Sequence, residues 1–221
     1  TPAARPRNMS TWISRASAIL LAASGLAGCD PATGLPFAAE LDAKSDSGRD
    51  RMAQTTLAGG DITITAPDGY CIDRRSLRRT GQKGFVVMAR CDTLGVRGFF
   101  GGYDLAVITV TAGPTNATIT PPTPAEVAQS VGTGTVLAER TRDGVAMVRL
   151  DKGSEAFDGV SDTHWRGGFV LNSHLIGLGL YAPAASGALG NGGAALLGEL
   201  ADRSRAATAA RRQAETSQTQ E

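Results

Sequence analysis

The sequence predicts an α+β domain, a mainly antiparallel sheet with a C-terminal helix packed on one face. Three observations lead there. Short β-branched runs recur through residues 61 to 181, separated by turn residues. Two pairs of runs face each other across Asp143-Gly144 and Asn172-Ser173. The last long segment carries apolar residues at helical spacing, where Leu196, Leu197, Leu200 and Ala201 form one stripe.

The elements follow in order. Ile62 and Ile64 alternate with Thr63 and Thr65, which reads as a strand; Ala66-Pro67-Asp68-Gly69 is a turn. Asp73 is placed to cap a short helix over 74–80 that ends at Gly81. Residues 84–91 and 103–111 read as strands, with a Pro/Thr-rich loop over 113–124. Pro124 opens a short helix over 124–130. Residues 134–140 and 145–150 form one hairpin, and 165–171 and 174–181 another. On the last strand Gly177 and Gly179 share the face opposite Ile176, Leu178 and Leu180, and permit close backbone approach. A helix spans 193–212, and a polar, frayed tail follows from Gln213. The single domain is expected over 57–212 in a sheet of about five to seven strands.

The N-terminal part has another character. Residues 16–28 are apolar and uncharged, and Arg15 stands before them. This is an export-signal layout, too short for a permanent span. Met9 is the candidate start of that signal. The segment ends in Leu26-Ala27-Gly28-Cys29, which resembles the lipobox of bacterial lipoproteins. The resemblance implies cleavage before Cys29, a diacylglycerol on its sulfur and usually a third acyl chain on the new amino terminus. Several chains exceed the marginal anchoring that one provides. Asp30 follows, a residue associated in some Gram-negative lipoproteins with inner-membrane retention. Residues 29–56 are poor in large apolar groups and are expected to be a flexible tether. The whole layout is similar to small uncharacterised lipoproteins of alphaproteobacteria. The order of strands and closing helix resembles the α–β–α fold of the extrinsic photosystem subunit P family, which implies no particular active residue.

Charge narrows the function classes. The chain carries a formal +1, but its first 28 residues hold Arg5, Arg7 and Arg15 and no acid. Removing them leaves −2, which argues against general nucleic-acid binding. Cys71 and Cys91 remain for a disulfide, as an exported compartment favours. Two thiols and two distant histidines fit no compact metal spacing, and no cofactor motif is present. Arg74, Arg75, Arg78, Arg79 and Lys83 cluster, and form a candidate contact for anionic headgroups or an acidic partner.

Other chemistry is sparse. His164 lies near Asp158, Asp162 and Trp165, and His174 follows Ser173, but no nucleophile motif accompanies either histidine. Gly95, Gly98, Gly101 and Gly102 have the density of a phosphate loop without its Gly-Lys-Ser/Thr ending; Phe99 and Phe100 lie among them. The expected function is therefore a membrane-anchored, periplasm-facing adaptor or assembly factor with a protein partner in the envelope. A periplasmic hydrolase and a lipid or small-ligand binding module are the alternatives.

Overall fold

A computed structural model describes residues 51–94, 105–115, 120–132, 134–153 and 159–219. The strands are β1 (Arg51–Met52), β2 (Gln54–Leu57), β3 (Ile62–Thr65), β4 (Tyr70–Asp73), β5 (Arg78–Thr80), β6 (Lys83–Arg90), β7 (Val107–Pro114), β8 (Val136–Arg142), β9 (Val145–Leu150), β10 (His164–Leu171) and β11 (His174–Tyr181). The helices are α1 (Pro124–Val131) and α2 (Asn191–Thr219). The main sheet runs β1-β4-β6-β7-β11-β10-β9-β8, with β5 also paired to β6, and every pairing is antiparallel. The predicted α+β class is the observed one. Among the described residues the main sheet nevertheless holds nine strands, more than expected, because short polar segments also join it.

The turn chemistry explains the hairpins. Asp143 and Gly144 both have positive φ (48° and 71°), as do Asn172 and Ser173 (46° and 62°). Two successive positive-φ residues give the turn whose twist matches that of antiparallel strands. The Asn172 side chain also donates to Asp61 O at 2.8 Å, tying this turn to the β3 entrance.

The sheet has two covered faces. On one, Ile108, Val110, Ile176, Leu178, Leu180, Trp165 and Phe169 join Leu197, Leu200 and Ala201 of α2 in the main core. The β2–β3 hairpin completes that layer, with Leu57 packed over Gly84, where a Cβ would come within 2.8 Å. On the other face, Val127 of α1 packs with Ala146, Val148 and Leu150 of β9 in a smaller core. Helix α1 begins as a capping box: Thr123 N donates to Glu126 Oε2 (2.7 Å), and Thr123 Oγ1 accepts from Glu126 N (3.3 Å).

Three expectations are corrected. Residues 74–80 are not a helix. Asp73 does cap a turn, accepting from Arg75 N, but the turn is a single 3-10 turn over Arg74–Ser76. The chain then resumes as β5, because pairing with β6 satisfies its backbone and Leu77 alone provides no apolar helical face. Ser76 bridges the break in the ladder, accepting from Val87 N at 2.8 Å and donating to Asp73 O at 2.6 Å. Among the described residues, regular structure is already present at Arg51, inside the expected tether. Backbone pairing of β1 with β4 and of β2 with β3 needs few large apolar groups. Finally, α2 continues to Thr219, within the segment expected to fray. Thr216, Ser217 and Thr219 donate to carbonyls four residues back, and Arg211 pairs with Glu215 at 2.8 Å.

Candidate functional site

Cys71 and Cys91 form a disulfide, with their Cα atoms 4.9 Å apart. Cys71 lies on β4 opposite Ala89, and Cys91 follows β6, donating its N–H to Gly69 O. The bridge therefore ties β4 to the end of the neighbouring β6, one strand in from the sheet edge, and closes a loop of 20 residues. In the chain-entropy model such a closure stabilises by about 3 kcal/mol. Cys29, Asp158 and the glycine- and phenylalanine-rich segment 95–102 lie outside the described residues.

The basic cluster is real in space but is not a helix face. Arg75 pairs with Asp73 at 3.1 Å. Arg78 donates to the carbonyls of Arg75 (2.7 Å) and Leu77 (3.1 Å). Arg79 crosses to β2, donating to Thr56 O and Thr55 Oγ1, each at 2.7 Å. These bonds organise the margin of the sheet while leaving a net positive charge there. Arg74 and Lys83 complete the cluster and are exposed.

Both histidines are packed. His164 is fully buried and stacks on Tyr181, with ring centroids 5.6 Å apart. Its Nδ1 lies 2.9 Å from Asp162 O, so the neutral ring donates there and Nε2 keeps its lone pair. That Nε2 is buried without a hydrogen-bond partner. Burial holds the His164 pKa below the ordinary histidine value; the Asp162 carbonyl opposes this, and the Arg166 charge adds to it. His174 places Nδ1 2.7 Å from Asn172 O and Nε2 2.8 Å from the Gln82 side-chain amide. Among the described residues, neither ring hydrogen-bonds a serine hydroxyl or a thiol through these nitrogens. Trp165 is a core residue whose Nε1 donates to Gly190 O at 3.1 Å.

The concave feature that sequence reading missed lies on the α1 face. Two adjoining cavities of about 390 and 310 Å³ run beside α1, across β10, β11 and β7. Val127, Ser130 and Gly177 line both. Thr109, Thr111 and Arg166 line the first, and Pro122, Val170 and Leu175 the second. The glycines of β11 make room for this: a Cβ on Gly177 would lie 2.6 Å from Thr111 Oγ1, and one on Gly179 2.7 Å from Thr109 Oγ1. Gly179 sits opposite Arg166 in the ladder. With no side chain between them, the guanidinium reaches the Tyr181 ring, 5.2 Å from its centroid. Alternating Gly177 and Gly179 were the available signal for close approach; which side chains would converge there depended on pairing with β7 and β10.

Among the described residues, no group of three histidine, cysteine or carboxylate side chains is placed to hold a metal ion. Among the same residues, no helix is long and apolar enough to cross a membrane. The chain matches no protein-family model, no curated protein and no solved structure.

Proposed function

We propose that this chain is a lipid-anchored, non-enzymatic protein of the cell envelope, an adaptor or assembly factor working by contact at the membrane surface. The observation that carries the reading is the Cys71–Cys91 bridge. It suits an oxidising, exported compartment and leaves Cys29, at the end of the signal-like segment, outside the pair. Among the described residues, neither histidine ring nitrogen is hydrogen-bonded to a hydroxyl or thiol, which favours contact over hydrolysis.

The point of chain entry supports an orientation. Arg51 pairs with Asp73, directly before Arg74, so the segment from Cys29 joins the domain at its basic margin. Residues 30–50 span at most roughly 70 Å when fully extended, which keeps that margin within reach of a bilayer holding the lipid. Anionic headgroups then face Arg74, Arg75, Arg78, Arg79 and Lys83.

The test is metabolic labelling with an alkyne fatty acid in a diderm bacterial host, followed by membrane fractionation. The wild-type chain takes up label and sediments with membranes. Cys29→Ser loses the label and leaves the membrane fraction, whereas Cys71→Ser keeps the label. Label on Cys29→Ser, or none on the wild type, overturns the anchor. Crosslinking of the labelled protein in native membranes tests the adaptor role, which fails if no stoichiometric protein partner is recovered.

A further inference from the structure

The groove beside α1 has one charged end and one apolar end. At the charged end stands Arg166, and among the described residues no carboxylate pairs with it; its guanidinium lies over the Tyr181 ring. Its Nε is buried without a hydrogen-bond partner. The hydroxyls of Thr109, Thr111 and Ser130 share that end. Thr111 donates weakly to Gly177 O (3.3 Å) and Ser130 donates to Val127 O (2.7 Å), so both oxygens retain acceptor capacity and hold their places.

The apolar end is built by Pro122 and Val127, which rest over Gly168, and by Val170 and Leu175. Leu175 is 45% exposed, unusual for leucine in this domain. Glu126 also borders this end, but its carboxylate is taken by Thr123 N and Thr123 Oγ1. Among the described residues the groove therefore offers one cation without a carboxylate partner, Arg166, and the carboxylate of Glu126 at its far end is already bonded. From Arg166 to Val170 along β10 is about 13 Å. That equals roughly ten bonds of an extended chain, at the ~1.2 Å per bond of extended backbone.

We infer that this groove binds an amphipathic organic anion, its head on Arg166 and its hydrocarbon tail running along Val127 and Val170 to Leu175. A carboxylate and a phosphate monoester share the required chemistry, since both accept the forked donors of a guanidinium. The inference does not rest on lipidation of Cys29.

The test uses the 221-residue chain carrying Cys29→Ser, titrated by calorimetry with decanoate, decyl phosphate and decanol. At least one of the two anions binds saturably, and decanol binds at least tenfold more weakly. The stronger anion identifies the head group. Arg166→Gln lowers anion affinity at least tenfold and leaves decanol binding within twofold. Should Arg166→Gln fail to fold, as judged by circular dichroism, Ser130→Phe decides: it changes an exposed helical position and fills the groove, so binding of both anions is lost. Absence of saturable binding by either anion overturns the inference. So does a folded Arg166→Gln variant that binds them as the wild type does, or undiminished binding to Ser130→Phe.

Discussion

Thr208 on α2 completes the edge of β3. Its Oγ1 accepts from Thr63 N at 2.9 Å and donates to Thr63 O at 3.3 Å. One helical turn earlier, Ser204 Oγ accepts from Thr65 N at 3.1 Å. Four helical residues advance about 6 Å and two strand residues about 6.6 Å, so hydroxyls spaced i,i+4 match alternate strand amides. A helix thus supplies the hydrogen bonds that a further strand would otherwise make. Thr208→Val keeps the shape and strands a buried N–H, and is expected to cost about 1–3 kcal/mol. Urea denaturation measures it. A midpoint unchanged from wild type would show that the Thr63 amide does not depend on this hydroxyl.

Gly193 permits the start of α2 to meet the sheet. A Cβ there would lie 2.1 Å from Ala188 O and 2.7 Å from Trp165 Cδ1. Because the first contact is backbone, the helix must move away from Trp165. Gly193→Ala is expected to destabilise by about 1–3 kcal/mol or more, as overpacked sites do. It should also shift Trp165 emission to longer wavelength, measured in a Trp12→Phe background. Unaltered emission and stability would contradict the close packing.

His164 links stability to pH. Burial lowers its pKa from the ordinary 6.5, so the unfolded chain binds the proton more readily than the folded one. The neutral ring's contribution is complete above about pH 6.5. It falls as the pH drops below that value, and the fall ends once the folded-state pKa is passed. His164→Phe keeps a flat ring against Tyr181 and removes this titration. Unfolding free energies measured from pH 8 to pH 5 should decline less steeply for the variant than for wild type. Parallel curves would mean that His164 titrates alike in both states.

The basic margin gives a membrane prediction. Arg74 and Lys83 are exposed, whereas Arg75, Arg78 and Arg79 also hold local structure through their hydrogen bonds. A cation near an anionic bilayer gains ~1 kcal/mol, about a fivefold change in binding. Arg74→Gln combined with Lys83→Gln should therefore weaken binding of the Cys29→Ser chain to phosphatidylglycerol-rich vesicles at least tenfold. Co-sedimentation measures this, with phosphatidylcholine vesicles as the uncharged reference. Equal binding by variant and wild type would place the membrane-facing surface elsewhere.

Much of the order of elements was legible because it depends on neighbours in sequence. Asp143-Gly144 and Asn172-Ser173 announced their hairpins through residues that tolerate positive φ. Thr123, Pro124 and Glu126 carry the start of α1 within four positions. Arg74–Thr80 misled because a good cap and four arginines resemble a helix start, while the deciding partner, β6, supplies hydrogen bonds that local propensity does not register. The polar segments Arg51–Met52 and Gln54–Leu57 were hidden for the same reason.

What the sequence by itself determined is local: the α+β class, the two hairpin turns, the apolar stripe of α2 and the number of cysteines available to pair. These rest on backbone preferences and on periodicity, which a few adjacent residues express. The tertiary structure alone decided which side chains meet. It set Arg166 beside Gly179 and near Tyr181, turned Ser204 and Thr208 into partners of a strand edge, and buried both histidines. Each of those outcomes depends on strand order and register. A shift of one residue in register sends every side chain to the opposite face, and long-range packing energy selects among the alternatives.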